Sequence, residues 1–279
     1  MKPWWIAGGV AIAAAAGTAI AVMAPRGRAG PAVERTPETG FDFIARDGAV
    51  LVDGRAMSVG TLAPGGVLDS RASRVELLIA NLGRAELEPA TRVRLVRSDA
   101  SARQLAIERG KLYVRVSVAP HLFVVSAPAA TVTGGGCAYV LEVDATGGGR
   151  VAVQSGRVEL AAKSRAVLVP AGAHAQLAAG SLPGLPIADG ARSELEDAAA
   201  RYAAGGPAEP LLAAATARDA VTLAALAGVD TAARPAALAR LAALAPPPDG
   251  VTVAGAMKDP AQLARWRDAV VPGAPKKTP

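Results

Sequence analysis

The sequence predicts a mainly β protein, a sandwich or jelly-roll-like body carried behind an N-terminal transmembrane helix and followed by a small α-helical region. Three observations predict it: a two-residue hydrophobic period from Ala45 to Ala179, one uncharged apolar stretch from Trp4 to Ala24, and a switch to helical periodicity after Pro183-Gly184-Leu185-Pro186. The expected organisation is an anchor over 1–24, a spacer over 25–44, a β-domain over 45–180, a helical region over 188–271 and a solvated tail over 272–279.

The apolar stretch, WWIAGGVAIAAAAGTAIAVMA, rises about 1.5 Å per residue as a helix and so reaches roughly 30 Å, the thickness of the bilayer hydrocarbon. Trp4 and Trp5 stand beside Lys2 where an interfacial aromatic belt would lie, and Arg26 and Arg28 close the far side. Val22-Met23-Ala24 loosely fits a small-x-small cleavage site, but Pro25 follows it directly and the run is long for a signal-peptide core. An uncleaved anchor is the expectation, with the folded mass on the outer side of a bacterial inner membrane. Residues 25–40, PRGRAGPAVERTPETG, carry Pro, Gly and charge and read as spacer.

Within the β-region, Leu112, Val114 and Val116 alternate with Tyr113, Arg115 and Ser117, and Tyr139, Leu141 and Val143 alternate with Val140, Glu142 and Asp144. Val151 and Val153 precede a turn at Ser155-Gly156, and Val158 and Leu160 follow it. Val167 and Val169 lead into a turn at Pro170-Ala171-Gly172. Glycine turns at this spacing between short strands indicate a sandwich or roll. Beyond residue 186, Asp189 is expected to cap a helix reaching Ala204, Thr216 a second with Val221, Leu223 and Leu226, and Thr231 a third with Leu238, Leu241 and Leu244. Asp259-Pro260 forms an N-cap and N1 pair for a last helix with Leu263 and Trp266 inward.

The composition excludes several function classes. Of the 279 residues 51% are hydrophobic and only 3% aromatic, and the net charge is +6. The arginines are scattered singly and not interleaved with aromatics, so nucleic acid is not an expected partner. One cysteine, Cys137, excludes an internal disulfide and a cysteine-rich zinc site. Glu142 and Asp144 share a strand face and could serve acid/base work, but a solvated face opposite Leu141 and Val143 explains them. His121 and His174 both follow or adjoin turns and read as surface loop residues. Cys137 has no neighbouring base to lower its pKa and reads as a small buried side chain. Gly134-Gly135-Gly136 is followed by no helix and fails the context of a phosphate loop, while Gly147-Gly148-Gly149 reads as a hairpin turn. The expectation is therefore no catalytic, cofactor-binding or metal-binding residue.

The β-segment resembles the FecR domain, the exported module of bacterial sigma-regulator proteins. The resemblance rests on Gly110-Lys111-Leu112-Tyr113-Val114, Phe123-Val124-Val125-Ser126-Ala127-Pro128-Ala129-Ala130-Thr131-Val132, Gly136 to Val143, Val151 to Leu160 and the strand and turn of Val167 to Gly172. Gly60 to Val96 fits more loosely. Ser126 stands where the family has Thr, and Cys137-Ala138-Tyr139 where it has Thr-x-Phe. The helical tail is similar to an extension on some FecR-domain proteins, through Asp219-Ala220-Val221-Thr222-Leu223 and Arg240-Leu241-Ala242 to Thr252. The resemblance implies a non-enzymatic periplasmic interaction or sensory module, linked to sigma-factor regulation. Only Met1, Lys2 and Pro3 precede the apolar stretch, so a separate membrane anti-sigma partner is expected to hold the sigma factor. A polysaccharide-binding or structural envelope protein is the alternative on the same scaffold.

Overall fold

The computed structural model describes residues 40–99, 101–117 and 122–271. The expected anchor over 4–24, the spacer up to residue 39, His121 and the tail from 272 lie outside the described residues. Among the described residues no helix is long and apolar enough to cross a membrane. The described elements belong to one compact unit.

Seventeen strands come first, and they build two layers that share one strand. The first layer runs in the order β4 (Val59–Leu62), β1 (Phe41–Ala45), β6 (Val75–Ile79), β7 (Gly83–Leu87), β9 (Arg103–Val116), β12 (Cys137–Val143), β13 (Gly149–Ser155), β16 (Ala173–Leu177) and β17 (Ile187–Ala188). The second runs β3 (Arg55–Met57), β2 (Val50–Val52), β5 (Val67–Asp69), β8 (Arg92–Ser98), β9 again, β10 (Phe123–Ser126), β11 (Thr131–Gly134), β14 (Arg157–Ala162) and β15 (Arg165–Pro170). Every pairing is antiparallel except β9 with β10. Strand β1 begins at Phe41, inside the stretch read as spacer: Phe41 and Phe43 are fully buried, so the period-two pattern starts there.

The two-residue period explains the layering. Leu112, Val114 and Val116, and Tyr139, Leu141 and Val143, all point into one core with Val125, Val132, Leu160 and Val167 from the second layer. Strand β9 passes from the second layer to the first between Arg109, opposite Arg92, and Gly110, opposite Val143. Gly110 has φ +100°, and a Cβ there would lie 2.4 Å from Thr91 Oγ1 and 2.5 Å from Thr91 Cα. Only glycine fits this crossing. Thr91 is fully buried; it accepts from the Lys111 N–H at 3.0 Å and donates to the Lys111 carbonyl at 3.2 Å. On the second-layer half of β9, Arg109 donates to the nearly buried Asp69 at 2.9 Å, and Arg92 donates to Glu108 at 2.7 Å.

The helices are α1 (Ser193–Ala203), α2 (Glu209–Ala214), α3 (Ala220–Val229), α4 (Arg234–Leu244), α5 (Val253–Lys258) and α6 (Pro260–Ala269), with a 3₁₀ turn at Ala217–Asp219. Helix α3 is apolar all round, and its residues Ala220 to Ala227 are all buried. It lies against the edge strands β15 and β17 on one side and against α4 and α6 on the other. Thr222 fixes it by donating to the Pro186 carbonyl at 2.7 Å. The helical region thus closes the C-terminal edge of both layers.

Several caps differ from expectation. Asp189 does not cap α1, whose N-cap is Arg192; it ends β17 and faces His174. Thr216 caps the 3₁₀ turn leading into α3, in a reciprocal capping box with Asp219. Thr231 does not cap α4, whose N-cap is Ala233; the turn before it is held by Asp230, whose Oδ1 accepts from Ala232 and Ala233 N–H at 2.9 Å each. Helices α2 and α5 are short, and their sequences carry too few turns for a period to show. Asp259 caps α6 as expected, accepting from Ala261 N–H at 2.8 Å, and Trp266 is fully buried.

Candidate interaction surface

Residues opposite one another in a ladder share a face, so the register defines the outer surface of the first layer. Its central row is Glu86, Tyr113, Val140, Ala152 and His174, on β7, β9, β12, β13 and β16. A second row is Lys111, Glu142, Arg150 and Gln176. Arg84, Arg115 and Ala138 form a third. Two open cavities of about 690 and 520 Å³ and a smaller one of about 130 Å³ lie over these rows, and Tyr113 lines all three. The result is a shallow continuous groove floored by Tyr113, Val140 and Ala152, with charged walls.

The walls carry both signs. The Lys111 ammonium stands 4.0 Å from Glu142 and 5.6 Å from the centre of the Tyr113 ring. Arg84 reaches Glu86 at 3.7 Å, and Arg150 reaches Asp189 at 3.9 Å. Exposed pairs of this kind stabilise little by themselves, so their partners exchange readily with the charges of a docking molecule. The arrangement suits recognition of an extended polar surface and offers no nucleophile–base pair.

Each residue weighed from the sequence now has a place. Glu142 is on the groove wall, whereas Asp144 closes the β12–β13 turn, its Oδ1 accepting from Thr146 N–H at 2.7 Å and Gly148 N–H at 3.1 Å. The Thr146 hydroxyl, which donates to the same oxygen at 2.6 Å, and these backbone hydrogen bonds hold its carboxyl below the usual range. Gly156, with φ +69°, would place a Cβ 2.6 Å from the Gly136 carbonyl, so these two glycines make a backbone crossing. Cys137 is buried, and burial pushes its thiol up to about 11.

His174 corrects the sequence reading. It is not a surface loop residue but the second residue of β16, 1% exposed. Its Nδ1 lies 3.2 Å from Asp189 Oδ1, and its Nε2 lies 3.6 Å from Glu196 Oε1 on α1. The chain after β16 returns as β17 and α1 over the outer face at this point, which the local turn signal did not reveal. Burial holds the imidazole below its ordinary pKa, against the opposing pull of Asp189 and Glu196. Among the described residues no cluster of three or more His, Cys, Asp or Glu is placed to hold a metal ion.

The fold and this surface define a two-layer β module with a helical cap. Residues 68–159 match the family model of FecR protein, from β5 into β14, which bears out the resemblance over that stretch. The Val167–Gly172 strand and turn lie beyond the matched residues. Two crystal structures of a "putative anti-sigma factor" from Parabacteroides distasonis ATCC 8503 show distant similarity. One is 17% identical over 41% of this chain and 54% of that chain, with a TM-score of 0.34. The other is 15% identical over 46% of this chain and 60% of that chain, with a TM-score of 0.36. The chain thus spans little more than half the length of each. No curated protein matches the chain.

Proposed function

We propose that this chain is a non-enzymatic FecR-type interaction module, acting in envelope signalling linked to sigma-factor regulation through a separate membrane partner. In this reading residues 4–24 hold the β-body on the periplasmic side of the inner membrane, and the groove of the first layer receives the partner. The observation that carries it is one of position: Lys111, Tyr113, Val140, Glu142, Arg150 and Ala152, which form the groove, all fall within the FecR-matched residues. The scattered Cys137, His174 and Glu142 assemble no reaction centre, which favours binding over turnover.

The test is site-specific photo-crosslinking from Tyr113 in intact cells, with the exposed Arg94 on β8 of the second layer as a control site. The expected result is a Tyr113-dependent adduct with one membrane regulator whose deletion derepresses a sigma-dependent reporter. Recovery of the intact chain in the soluble cytosolic fraction would contradict the reading. Retention on peptidoglycan without any protein adduct would favour the polysaccharide-binding alternative.

A further inference from the structure

A second concavity lies away from the groove, between β15 and helices α3, α5 and α6. Its volume is about 280 Å³, near the lower end of what small-molecule sites use. The walls are apolar, with Val167, Met257 and Leu263 prominent. Three cationic side chains, Arg234, Lys258 and Arg267, also line it, and no acidic residue does.

Two of the cations have partners in the fold. Arg234 Nε donates to the Ala227 carbonyl at 2.7 Å, fixing the guanidinium at the C-terminal end of α3. Arg267 Nε is buried without a hydrogen-bond acceptor; Asp268 Oδ1 approaches it at 3.5 Å and is shared with Arg157 at 3.6 Å. The Arg267 side chain as a whole is partly exposed and lines the cleft, so its guanidinium can meet an anionic ligand oxygen there.

Gly228 is a second feature of this cleft. It lines the cleft and is exposed, although Ala220 to Ala227 of the same helix are all buried. Its φ is not positive, and a Cβ placed on it would meet no atom within 4 Å. Neither backbone conformation nor packing requires glycine here, and glycine weakens a helix relative to alanine. Glycine leaves the cleft lining without a side chain at this position.

We infer that this cleft binds a small amphiphilic anion, with a short apolar body against Val167, Met257 and Leu263 and a carboxylate or phosphate head on Arg234 and Arg267. The site lies outside the groove, so it stands whether or not the signalling reading does. It would give the helical cap a ligand of its own.

The test uses the full chain in lipid nanodiscs, titrated calorimetrically against empty nanodiscs. The probes are hexanoate, hexyl phosphate and, as the uncharged match, 1-hexanol. Saturable binding of hexanoate or hexyl phosphate is expected, and the tighter of the two identifies the head group. Arg267→Gln should weaken binding by about ten- to a hundredfold, the effect of losing one charge-assisted hydrogen bond. Gly228→Leu adds a bulky side chain to the cleft lining on a helix-favouring residue, so it should weaken binding without lowering the melting temperature. Equal binding of 1-hexanol, binding of none of the probes, or full binding by Gly228→Leu would overturn the inference.

Discussion

Replacing Gly110 by alanine tests the crossing of β9 between the two layers. At φ +100° a side-chain-bearing residue is strained by about 1–2 kcal/mol. The new Cβ would also sit 2.4 Å from Thr91 Oγ1 and 2.5 Å from Thr91 Cα, so Thr91 must be displaced. Thr91 is anchored by its two hydrogen bonds with Lys111, by its N–H to Ser70 Oγ at 2.8 Å and by its carbonyl to Ser70 N–H at 2.8 Å. Losing two of these adds about 2 kcal/mol, for a total of about 3–4 kcal/mol. Gly205 provides a matched control, because its φ is +99° and a Cβ there meets nothing within 4 Å. Gly205→Ala should cost only the backbone strain, about 1–2 kcal/mol. For a chain of this size each kcal/mol lowers the melting temperature by about 2–4 °C. Thermal melts of the purified full chain followed by far-UV circular dichroism should therefore show Gly110→Ala falling by roughly 6–16 °C, well beyond Gly205→Ala. If the two variants melt together, the crossing does not depend on the close approach to Thr91.

Three further outcomes are expected. Burial lowers the folded-state pKa of His174, so as pH falls the unfolded chain takes up the proton first; the His174 contribution to stability is complete above about pH 6.5 and declines below it, levelling off under the folded pKa. Urea midpoints between about pH 7 and about pH 5 should fall more in the wild type than in His174→Gln, and identical pH profiles would refute this. Cys137 should resist maleimide at neutral pH while folded and react once urea unfolds the chain, because its thiol is buried and titrates near 11; rapid labelling of the native chain would contradict the placement. Tyr202 donates to Asp230 Oδ2 at 2.7 Å, with the Arg165 guanidinium 5.3 Å from its ring centre, so Tyr202→Phe should cost about 1–2 kcal/mol. Asp230→Ala should cost about 1 kcal/mol more because it also removes the two hydrogen bonds to the Ala232 and Ala233 N–H groups in the turn before α4, and the double variant should be less than additive in urea denaturation.

The parts of the fold legible in the sequence are those with a sustained period. Leu112 to Val116 and Tyr139 to Val143 alternate long enough to reveal both their strand character and their buried face, and Asp259-Pro260 marks α6 with local chemistry alone. Elements of three or four residues, such as β2, β3 and β4, are too short to carry a period and are held by their neighbours in the ladder. His174 could not be placed from its own surroundings, because the groups that bury it, Asp189 and Glu196, arrive from 15 or more residues later in the chain. The groove was partly legible: the alternation put Tyr113, Val140 and Glu142 on the outward face, but the register that aligns them with Ala152 and Arg150 exists only once the strands pair. The cationic cleft had no signal at all, since Arg234, Lys258 and Arg267 are separated singly along three helices.

The helices against β15 and β17 make the two margins of the body unequal. One margin is plugged by α3, while at the other, among the described residues, no helix packs on β3 or β4, and Val59 is 65% exposed there. Strands recruit strands, and a body open at both margins could concatenate without limit. Among the described residues the free strand edges lie at one margin only, so any strand added from outside would have to meet β3 or β4.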